Sequence, residues 1–154
     1  MLQNPRISII TVAFNSVKTI KDTIYSIISQ DYNNIEYLII DGGSTDGTID
    51  IVNQYSNDIQ YVISEPDNGI YDAMNKGIKA ATGDIIGILN SDDFYSNNQV
   101  ISNVVKMFST SRCDCLYGDL VYIKPRNLKK VVRYWKSGFF SISKLENGWM
   151  LPHP

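Results

Sequence analysis

The sequence predicts an α/β fold, a three-layer sandwich with a mainly parallel central sheet. Short runs rich in β-branched residues alternate with segments of helical periodicity, and this alternation is typical of βαβ units. The clearest run, residues 85–89, is continuously apolar and stops at Asn90-Ser91-Asp92-Asp93. Short, uninterrupted apolar runs are typical of strands buried on both faces. We therefore predict a central strand here, with two adjacent carboxylates at its carboxyl end.

The other predicted elements alternate along the chain, separated by breakers rich in glycine, proline or asparagine. In order they are a strand at 6–12, a helix at 17–30 capped by Ser16, a strand at 35–40, a helix at 48–55, a strand at 59–64, a helix at 70–81, the strand at 85–89, a helix at 99–109, and strands at 115–123 and 130–135. The helix at 70–81 is expected to bury an apolar face made of Ile70, Met74, Ile78 and Ala81.

Composition narrows the class of protein. A chain of 154 residues suits one domain with a sizeable core, and 44% hydrophobic residues argue against disorder. The net charge of -2 does not indicate a nucleic-acid partner. No signal-peptide pattern or membrane-spanning apolar run occurs, so we expect a protein of the cytoplasm or of the inner face of the membrane. Cys113 and Cys115 are expected to be buried or half-buried thiols without a disulfide.

A basic cluster stands out between residues 124 and 136. It contains six cations together with Tyr134 and Trp135; the cations are Lys124, Arg126, Lys129, Lys130, Arg133 and Lys136. Such a cluster suits peripheral association with an anionic membrane surface or contact with an anionic substrate. A solvated edge hairpin is the plainer alternative.

Polar residues follow several of the predicted strands. Because βαβ crossovers are right-handed, the carboxyl ends of these strands meet at one edge of the sheet. The segments expected there are 11–15, Asp41, 65–69 and 90–93. Acidic and amide groups dominate this edge, which suits a metal–phosphate complex better than a free phosphate. Asp92 and Asp93 repel each other unless a cation lies beside them, although they could instead cap the next helix.

Some of these residues also have simpler interpretations. Asp41 could accept hydrogen bonds from a nucleobase or ribose, or could cap the turn at 42–47; we favour the first because Ser44 and Asp46 already supply caps. Gly69 allows close backbone approach or simply serves a turn. Asp72 lies near a predicted helix start, where a carboxylate is favourable to the helix dipole.

Four segments, in this order, resemble family 2 glycosyltransferases with the Rossmann-related GT-A fold. They are Ser8-Ile9-Ile10-Thr11-Val12-Ala13-Phe14-Asn15, Asp41-Gly42-Gly43-Ser44-Thr45-Asp46-Gly47-Thr48, Glu65-Pro66-Asp67-Asn68-Gly69-Ile70-Tyr71-Asp72-Ala73-Met74-Asn75-Lys76-Gly77 and Asn90-Ser91-Asp92-Asp93. They span roughly the first 120 residues, and four ordered motifs are far more specific than any one of them. Neither a dinucleotide-binding fingerprint nor a P-loop occurs in the sequence.

The resemblance implies an inverting transfer of a sugar from a nucleoside-diphosphate sugar, usually UDP-linked, to a glycan or lipid-linked acceptor in cell-surface polysaccharide synthesis. It implies donor contacts from Thr11, Val12, Ala13, Asn15, Asp41, Gly69, Asp72, Asn90, Ser91 and Asp92. It also implies that residues 90–93 are this chain's form of the metal-binding DXD motif. Asn90 stands where many members have aspartate, so Mn²⁺ or Mg²⁺ is expected to rest on Asp92 and Asp93.

The same resemblance predicts two functional parts. Residues 1–122 are expected to bind the donor, and residues 123–154 to form the basic hairpin and the start of an acceptor-binding region. No acidic residue follows Glu146, and His153 lies between two prolines. Because inversion needs a base that deprotonates the attacking hydroxyl, we expect the general base beyond Pro154.

Two other functions stay open at this point. One is a nucleotide-sugar binding fragment without catalytic activity, because it would lack the general base. The other is a nucleotidyltransferase, which also uses paired carboxylates and a metal. The absence of a loop rich in glycine and arginine after the first strand argues against the nucleotidyltransferase.

Overall fold

The computed structural model describes residues 4–111, 113–124 and 127–149, with only the backbone at 128 and 129. In chain order its elements are β1 Ile7–Ala13, α1 Ile20–Ile28, β2 Ile35–Asp41, α2 Thr48–Asn53, β3 Tyr61–Ser64, α3 Ile70–Ala80, β4 Ile85–Ile88, α4 Val100–Thr110, β5 Leu120–Lys124, β6 Asn127–Trp135 and α5 Ile142–Glu146. The chain forms two compact units, Met1–Arg112 and Cys113–Pro154. The predicted division at residue 122 concerns function and stays a prediction.

The first unit is built on a four-stranded sheet in the order β3-β2-β1-β4. All three strand pairs are parallel, which confirms the predicted mainly parallel sheet. β1 and β2 pair over their whole length, from Ile7 opposite Ile35 to Ala13 opposite Asp41. The carboxyl ends of β1 and β2 therefore lie side by side, and the loops that follow them start from the same place.

Helices cover both faces of this sheet, as the three-layer prediction requires. One apolar cluster joins Ile7 and Ile9 of β1 to α1, α2 and α4 through Ile24, Val52 and Ile101. Residues of β1 with the opposite side-chain direction, such as Ile10, pack with Ala73 of α3 in a second cluster. The alternation along β1 follows from the two-residue period of a strand. Since both of its faces are covered, β1 is buried throughout.

The prediction that residues 85–89 form a central strand buried on both faces is wrong for the part of the chain described. β4 is the edge strand of the sheet, next to β1 only. Ile85 and Leu89 face the first cluster and are buried, but Ile86 and Ile88 are 43% and 41% exposed. A continuously apolar run indicates burial without specifying what covers each face. The carboxyl end of β4 still lies at the predicted edge.

The buried face of α3 agrees with the prediction only in part: Met74 packs against the second apolar cluster, as does Ala81 just after the helix. Ile70 and Ile78 are 46% and 43% exposed, whereas Ala73 and Gly77 are buried. A Cβ at Gly77 would lie 2.5 Å from Cγ2 of Ile10, so the helix approaches the sheet closely at this point. The large side chains of β1 and β2 already fill the space above the sheet, and small residues of α3 face them.

The second unit contains an antiparallel pair, β5 and β6, which confirms the predicted hairpin. β5 begins at Leu120 and not at 115, because the strand is limited to the residues that pair with β6.

Cys113 is half-buried and Cys115 exposed, both as free thiols, so the predicted burial of Cys115 is wrong. Of the turn expected at residues 125–127, Pro125 and Arg126 lie outside the described residues, as does His153, whereas Asn127 already belongs to β6. In the described ranges no helix has the length and apolar character needed to span a membrane.

Candidate functional site

The structure gathers the segments that follow β1, β2 and β4. Gly42 donates its amide hydrogen to the carbonyl oxygen of Ala13, with nitrogen and oxygen 2.9 Å apart. From the other side, the amide of Ser91 donates to the carbonyl of Val12 at 3.2 Å. After β3, the amide of Glu65 donates to the carbonyl of Asp41 at 3.0 Å. These backbone bonds bring the four predicted segments to one edge of the sheet.

Asp41 holds the turn that follows β2. Its carboxylate is buried and accepts hydrogen bonds from the amides of Gly43 and Ser44 at 3.1 and 2.9 Å, and from the hydroxyls of Ser44 and Ser64. Asp41 therefore caps the turn, which was the less favoured of its two sequence-based interpretations. The Ser44 hydroxyl donates to the Asp41 carboxylate, so Asp41 and not Ser44 caps the backbone amides of the turn. Contact between Asp41 and a nucleotide stays a prediction.

The segment after β1 divides into a buried and an exposed part. The side chains of Thr11, Val12 and Ala13 are buried, and the Thr11 hydroxyl accepts a hydrogen bond from Tyr37. Asn15 is exposed, with a φ of 49°, a left-handed conformation in which asparagine is enriched. Its side-chain oxygen accepts from the amide of Thr45 at 3.0 Å. Asn15 therefore joins this segment to the turn that Asp41 holds.

Phe14 and Asp67 lie in the predicted segments 11–15 and 65–69, but neither was named among the expected donor contacts. The Phe14 ring is 64% exposed although it follows a fully buried strand. A Cβ at Gly42 would lie 2.6 Å from Oδ2 of Asp67 and 3.3 Å from Cδ2 of Phe14, so both side chains meet over this glycine. The sequence signal for Phe14 was its position, since it is an aromatic residue directly after an apolar strand. The arrangement offers a flat apolar surface with a carboxylate beside it.

The segment at 90–93 is fastened by hydroxyl groups. Ser91 is buried; its hydroxyl lies 2.6 Å from that of Ser16, and its carbonyl accepts from the Thr23 hydroxyl at 3.0 Å. Ser16 was predicted to cap a helix at 17, but α1 begins at Ile20 and Ser16 provides only its carbonyl to the first turn. Its hydroxyl is turned to Phe14 and Ser91 instead, so the predicted cap is wrong.

Two buried oxygen atoms at this segment have no hydrogen-bond partner among the described residues. They are Oδ1 of Asn90 and Oδ2 of Asp93. Burial raises the pKa of Asp93 to about 6, and the charge of neighbouring Asp92, which is exposed, adds to the shift. Unsatisfied buried oxygens are uncommon and costly in proteins. Their position next to Asp92 fits a cation that would be coordinated by all three side chains.

The donor set fits Mg²⁺ or Mn²⁺ only together with a ligand. In the described part of the chain, no three His, Cys, Asp or Glu side chains lie together so as to hold a metal. Two carboxylates and one amide oxygen are too few for an octahedral ion. Magnesium is usually bound by one or two carboxylates together with phosphates of the substrate, and manganese prefers similar oxygen ligands. The residues therefore fit a metal that arrives with, or is completed by, a diphosphate.

Gly69 and Asp72 serve the start of α3. Gly69 has a φ of 104° and precedes the helix, with open space where a Cβ would stand. Asp72 accepts a hydrogen bond from the amide of Asn68 at 3.1 Å and lies 3.6 Å from the Lys76 ammonium. A hydrogen bond to Glu65 raises the pKa of Lys76 and keeps it charged. Donor contacts by Gly69 and Asp72 stay predictions.

A parallel α/β sheet with unsatisfied acidic and amide oxygens at its carboxyl edge is typical of enzymes that bind phosphate-bearing ligands. The chain belongs to Glycosyl transferase family 2, whose sequence model matches residues 8–152. This match confirms the resemblance that the four motifs indicated. The protein is thus a member of a family of glycosyltransferases.

Relatives and solved structures agree with this assignment. An uncharacterized glycosyltransferase of Mycobacterium tuberculosis is 38% identical over 110 residues, which are 71% of this chain and 42% of that protein. TuaG of Bacillus subtilis, a putative teichuronic acid biosynthesis glycosyltransferase, is 34% identical over 110 residues, 70% of this chain and 44% of its own. The chain therefore spans less than half the length of these curated relatives.

Two solved structures share the fold. The mannosyltransferase PcManGT of Pyrobaculum calidifontis, in complex with GDP-Man and Mn²⁺, matches with a TM-score of 0.65 and 26% identity over 80% of this chain and 37% of its own. S. aureus TarS 1-349, in complex with UDP-GlcNAc, matches with a TM-score of 0.66 and 25% identity over 77% of this chain and 34% of its own. The GT-A-like fold is thereby confirmed.

Proposed function

We propose that the protein takes part in transferring a sugar from a nucleoside-diphosphate sugar, bound with Mn²⁺ or Mg²⁺, to a glycan or lipid-linked acceptor. The observation that carries the proposal is the pair of buried, unpartnered oxygens on Asn90 and Asp93. They lie at the carboxyl edge of the sheet in a member of a glycosyltransferase family. Asp92 beside them supplies a second carboxylate that is open to solvent.

The residues at 90–93 would hold the metal and the diphosphate. Asp93, Asp92 and the amide oxygen of Asn90 are the protein ligands, and phosphate oxygens complete the coordination. When bound, the metal neutralises charge that develops on the departing diphosphate. Ser91 keeps the segment in place through Ser16 and Thr23 and need not touch the donor itself.

The loops after β1 and β2 would receive the nucleoside. The exposed ring of Phe14 offers a stacking surface for a base, and Asp67 beside it can accept a hydrogen bond. Asp41 holds the turn after β2 and Asn15 joins the loop after β1 to that turn, so the surface is formed before the donor binds. We propose UDP as the nucleotide. PcManGT was solved with GDP-Man and TarS with UDP-GlcNAc, and titration with uridine and guanosine compounds distinguishes the two bases.

The acceptor half of the reaction rests on the family resemblance. We propose transfer with inversion, in which a general base removes the proton of the attacking hydroxyl. That base and the acceptor contacts are proposed to lie beyond the described residues. The name of TuaG, a putative teichuronic acid biosynthesis enzyme, supports an acceptor of the cell-surface polysaccharide class.

Isothermal titration with UDP, UDP-sugars and GDP-sugars tests the donor half of the proposal. We expect binding in Mn²⁺ and a large loss of affinity in chelator, with uridine compounds preferred over guanosine compounds. Asp93→Asn and Asp92→Asn should each remove the metal-dependent part of the affinity. Asp58→Asn, which removes an exposed carboxylate from the turn after α2, is the matched control and should bind as the parent protein does. Equal affinity with metal and with chelator would refute the role given to residues 90–93.

A further inference from the structure

The two units of the chain carry opposite charge. Residues 1–112 contain seven Lys and Arg against thirteen Asp and Glu, a net charge of -6, whereas residues 113–154 contain seven against three, a net charge of +4. The basic charge of the second unit is not needed for the site proposed above, which lies wholly in the first. A strong difference in charge between parts of one chain indicates a charged partner for one of them.

The second unit also exposes large apolar side chains in one short segment. Within residues 139–145, which we call the apolar segment, four of the seven residues are large, apolar and exposed. They are Phe139, Phe140, Ile142 and Leu145, with exposed fractions of 89%, 55%, 68% and 44%. Single exposed apolar residues are common on protein surfaces, but a contiguous group usually marks an interaction surface. A solvated hairpin does not require such a group.

Hydrogen bonds hold the apolar segment in its exposed position. Asp119 accepts from the amide and the hydroxyl of Ser137 at 2.9 and 2.8 Å, and the Tyr117 hydroxyl donates to the carbonyl of Gly138 at 3.1 Å. The bonds from Ser137 lower the pKa of Asp119, which therefore stays charged. The exposure of Phe139 is thus a consequence of defined contacts on the residues just before it.

Two cations of the second unit lie close to the backbone of the apolar segment or to aromatic rings outside it. The Lys144 ammonium donates to the carbonyl of Phe139 at 2.8 Å and lies 5.7 Å from the ring centre of Trp149. Lys136 lies 6.0 Å from the ring centre of Tyr134. Aromatic rings and basic side chains together are characteristic of surfaces that lie in the headgroup region of a bilayer.

We propose that the second unit docks on an anionic membrane surface, with the apolar segment entering the headgroup region. Anionic lipids complement the +4 charge, and each basic residue close to such a surface strengthens binding. A second copy presenting the same unit would be repelled by its like charge, and a second copy presenting its acidic unit is one of the outcomes of the test below. The proposal does not depend on the identity of the donor or on the metal site.

Co-sedimentation of the 154-residue chain with lipid vesicles tests the proposal. We expect binding to vesicles of phosphatidylcholine mixed with phosphatidylglycerol, weak binding to phosphatidylcholine alone, and release by added salt. Lys136→Gln should weaken the partition about fivefold, because one cation near the surface is lost. Phe139→Ser should weaken it about tenfold or more, because the side chain no longer enters the bilayer interface.

Tyr25→Ser is the matched control, since Tyr25 on α1 is also an exposed aromatic residue, at 65%, but belongs to the acidic unit. It should bind vesicles as the parent chain does. Unchanged far-UV circular dichroism and thermal unfolding of Phe139→Ser would show that its loss of binding is not a loss of fold. Equal binding to neutral and anionic vesicles, or equal losses in Phe139→Ser and Tyr25→Ser, would overturn the proposal. So would a dimer seen by analytical ultracentrifugation without lipid and abolished by Phe139→Ser, since a second copy would then cover the segment.

Discussion

Asp93 is the residue at which the proposed function and the stability of the fold conflict most directly. Its carboxylate is partly buried, has one oxygen without a partner among the described residues, and lies next to a second carboxylate. Each of these features disfavours the charged form in the protein without metal. A cation would relieve all of them together, so the arrangement that is unfavourable in the apo protein favours ligand binding.

The raised pKa of Asp93, about 6 against an ordinary value of 3.8, has a definite sign for stability. Between these two pH values the folded protein keeps a proton that the unfolded chain releases, so the free energy of unfolding falls as the pH rises through this window. We expect Asp93→Asn to remove this fall and to be more stable than the parent at pH 7. Urea unfolding in chelator at several pH values measures both effects, with Asp58→Asn as the control. The alternative that Asp92 and Asp93 cap the next helix is wrong, because α4 begins at Val100 with Gln99 as its N-cap. A less stable Asp93→Asn would contradict the unfavourable environment described here for the charged carboxylate.

Thr23 contributes to the same site without touching a ligand. Its buried hydroxyl donates to the Ser91 carbonyl, and Thr23→Val would remove that bond while keeping the size of the side chain. We expect the Mn²⁺ affinity, measured in the presence of UDP, to fall about tenfold, the lower end for loss of a group that supports a metal ligand. Thr23→Ser keeps the hydroxyl and should restore most of the affinity. Equal affinities of the Val and Ser variants would show that the bond does not position the segment.

The sequence pointed to the carboxylates of the candidate site but not to the hydrogen bonds that hold their segment in place. Asp92 and Asp93 were found because an apolar run ends at them, which is a local signal. The bonds of Ser91 join residues that are 68 and 75 positions away, and serine and threonine are too common for such pairs to be recognised along one chain. Asp41 shows the reverse case, since its capping of the turn was the less favoured of two interpretations and is what the structure contains.

At the scale of elements, α3 shows how close packing can contradict a periodic pattern. The predicted stripe contained Ile70, Met74 and Ile78, but of these only Met74 packs against the core, and the fully buried residues are Ala73 and Gly77. A hydrophobic pattern shows which residues are apolar. The distance between the helix and the sheet decides how large the side chains between them can be. The strand at 85–88 illustrates the same limit, since its apolar composition did not show that it lies at the edge of the described sheet. The order of strands and helices was predicted well because alternation is a local property.

Gly77→Ala tests the close approach of α3. Alanine is the better helix former by about 1 kcal/mol, but its Cβ would lie 2.5 Å from Ile10 and 3.2 Å from Ile40. We expect the clash to dominate and the free energy of unfolding to fall by about 1–3 kcal/mol. Asn75→Ala on the exposed side of the same helix is the control and should be neutral or slightly stabilising. Urea unfolding of both variants decides the point, and a stabilised Gly77→Ala would contradict the packing described here.

At the scale of the whole molecule, the chain is divided between an acidic unit that carries the candidate site and a basic unit that carries the exposed apolar segment. In the proposed function, the acidic unit would hold an anionic ligand through a cation and not through its own charge. Metal and nucleotide should therefore bind cooperatively, and by linkage each should raise the affinity for the other by the same factor. An acidic unit that binds an anionic nucleotide needs the metal ion to offset the repulsion between them.

This cooperation should be visible in thermal unfolding. UDP at about one hundred times its dissociation constant, with Mn²⁺ present, should raise the free energy of unfolding by about 2.7 kcal/mol. For a domain of this size that corresponds to an increase in Tm of about 5–10 °C. UDP with chelator, or Mn²⁺ without UDP, should each shift the Tm much less, because neither alone completes the coordination that Asn90, Asp92 and Asp93 begin. Asp93→Asn should abolish the joint shift while Asp58→Asn keeps it. If UDP gave the full shift in chelator, the nucleotide would be held by the loops after β1 and β2 alone, and the unpartnered oxygens of Asn90 and Asp93 would need another explanation.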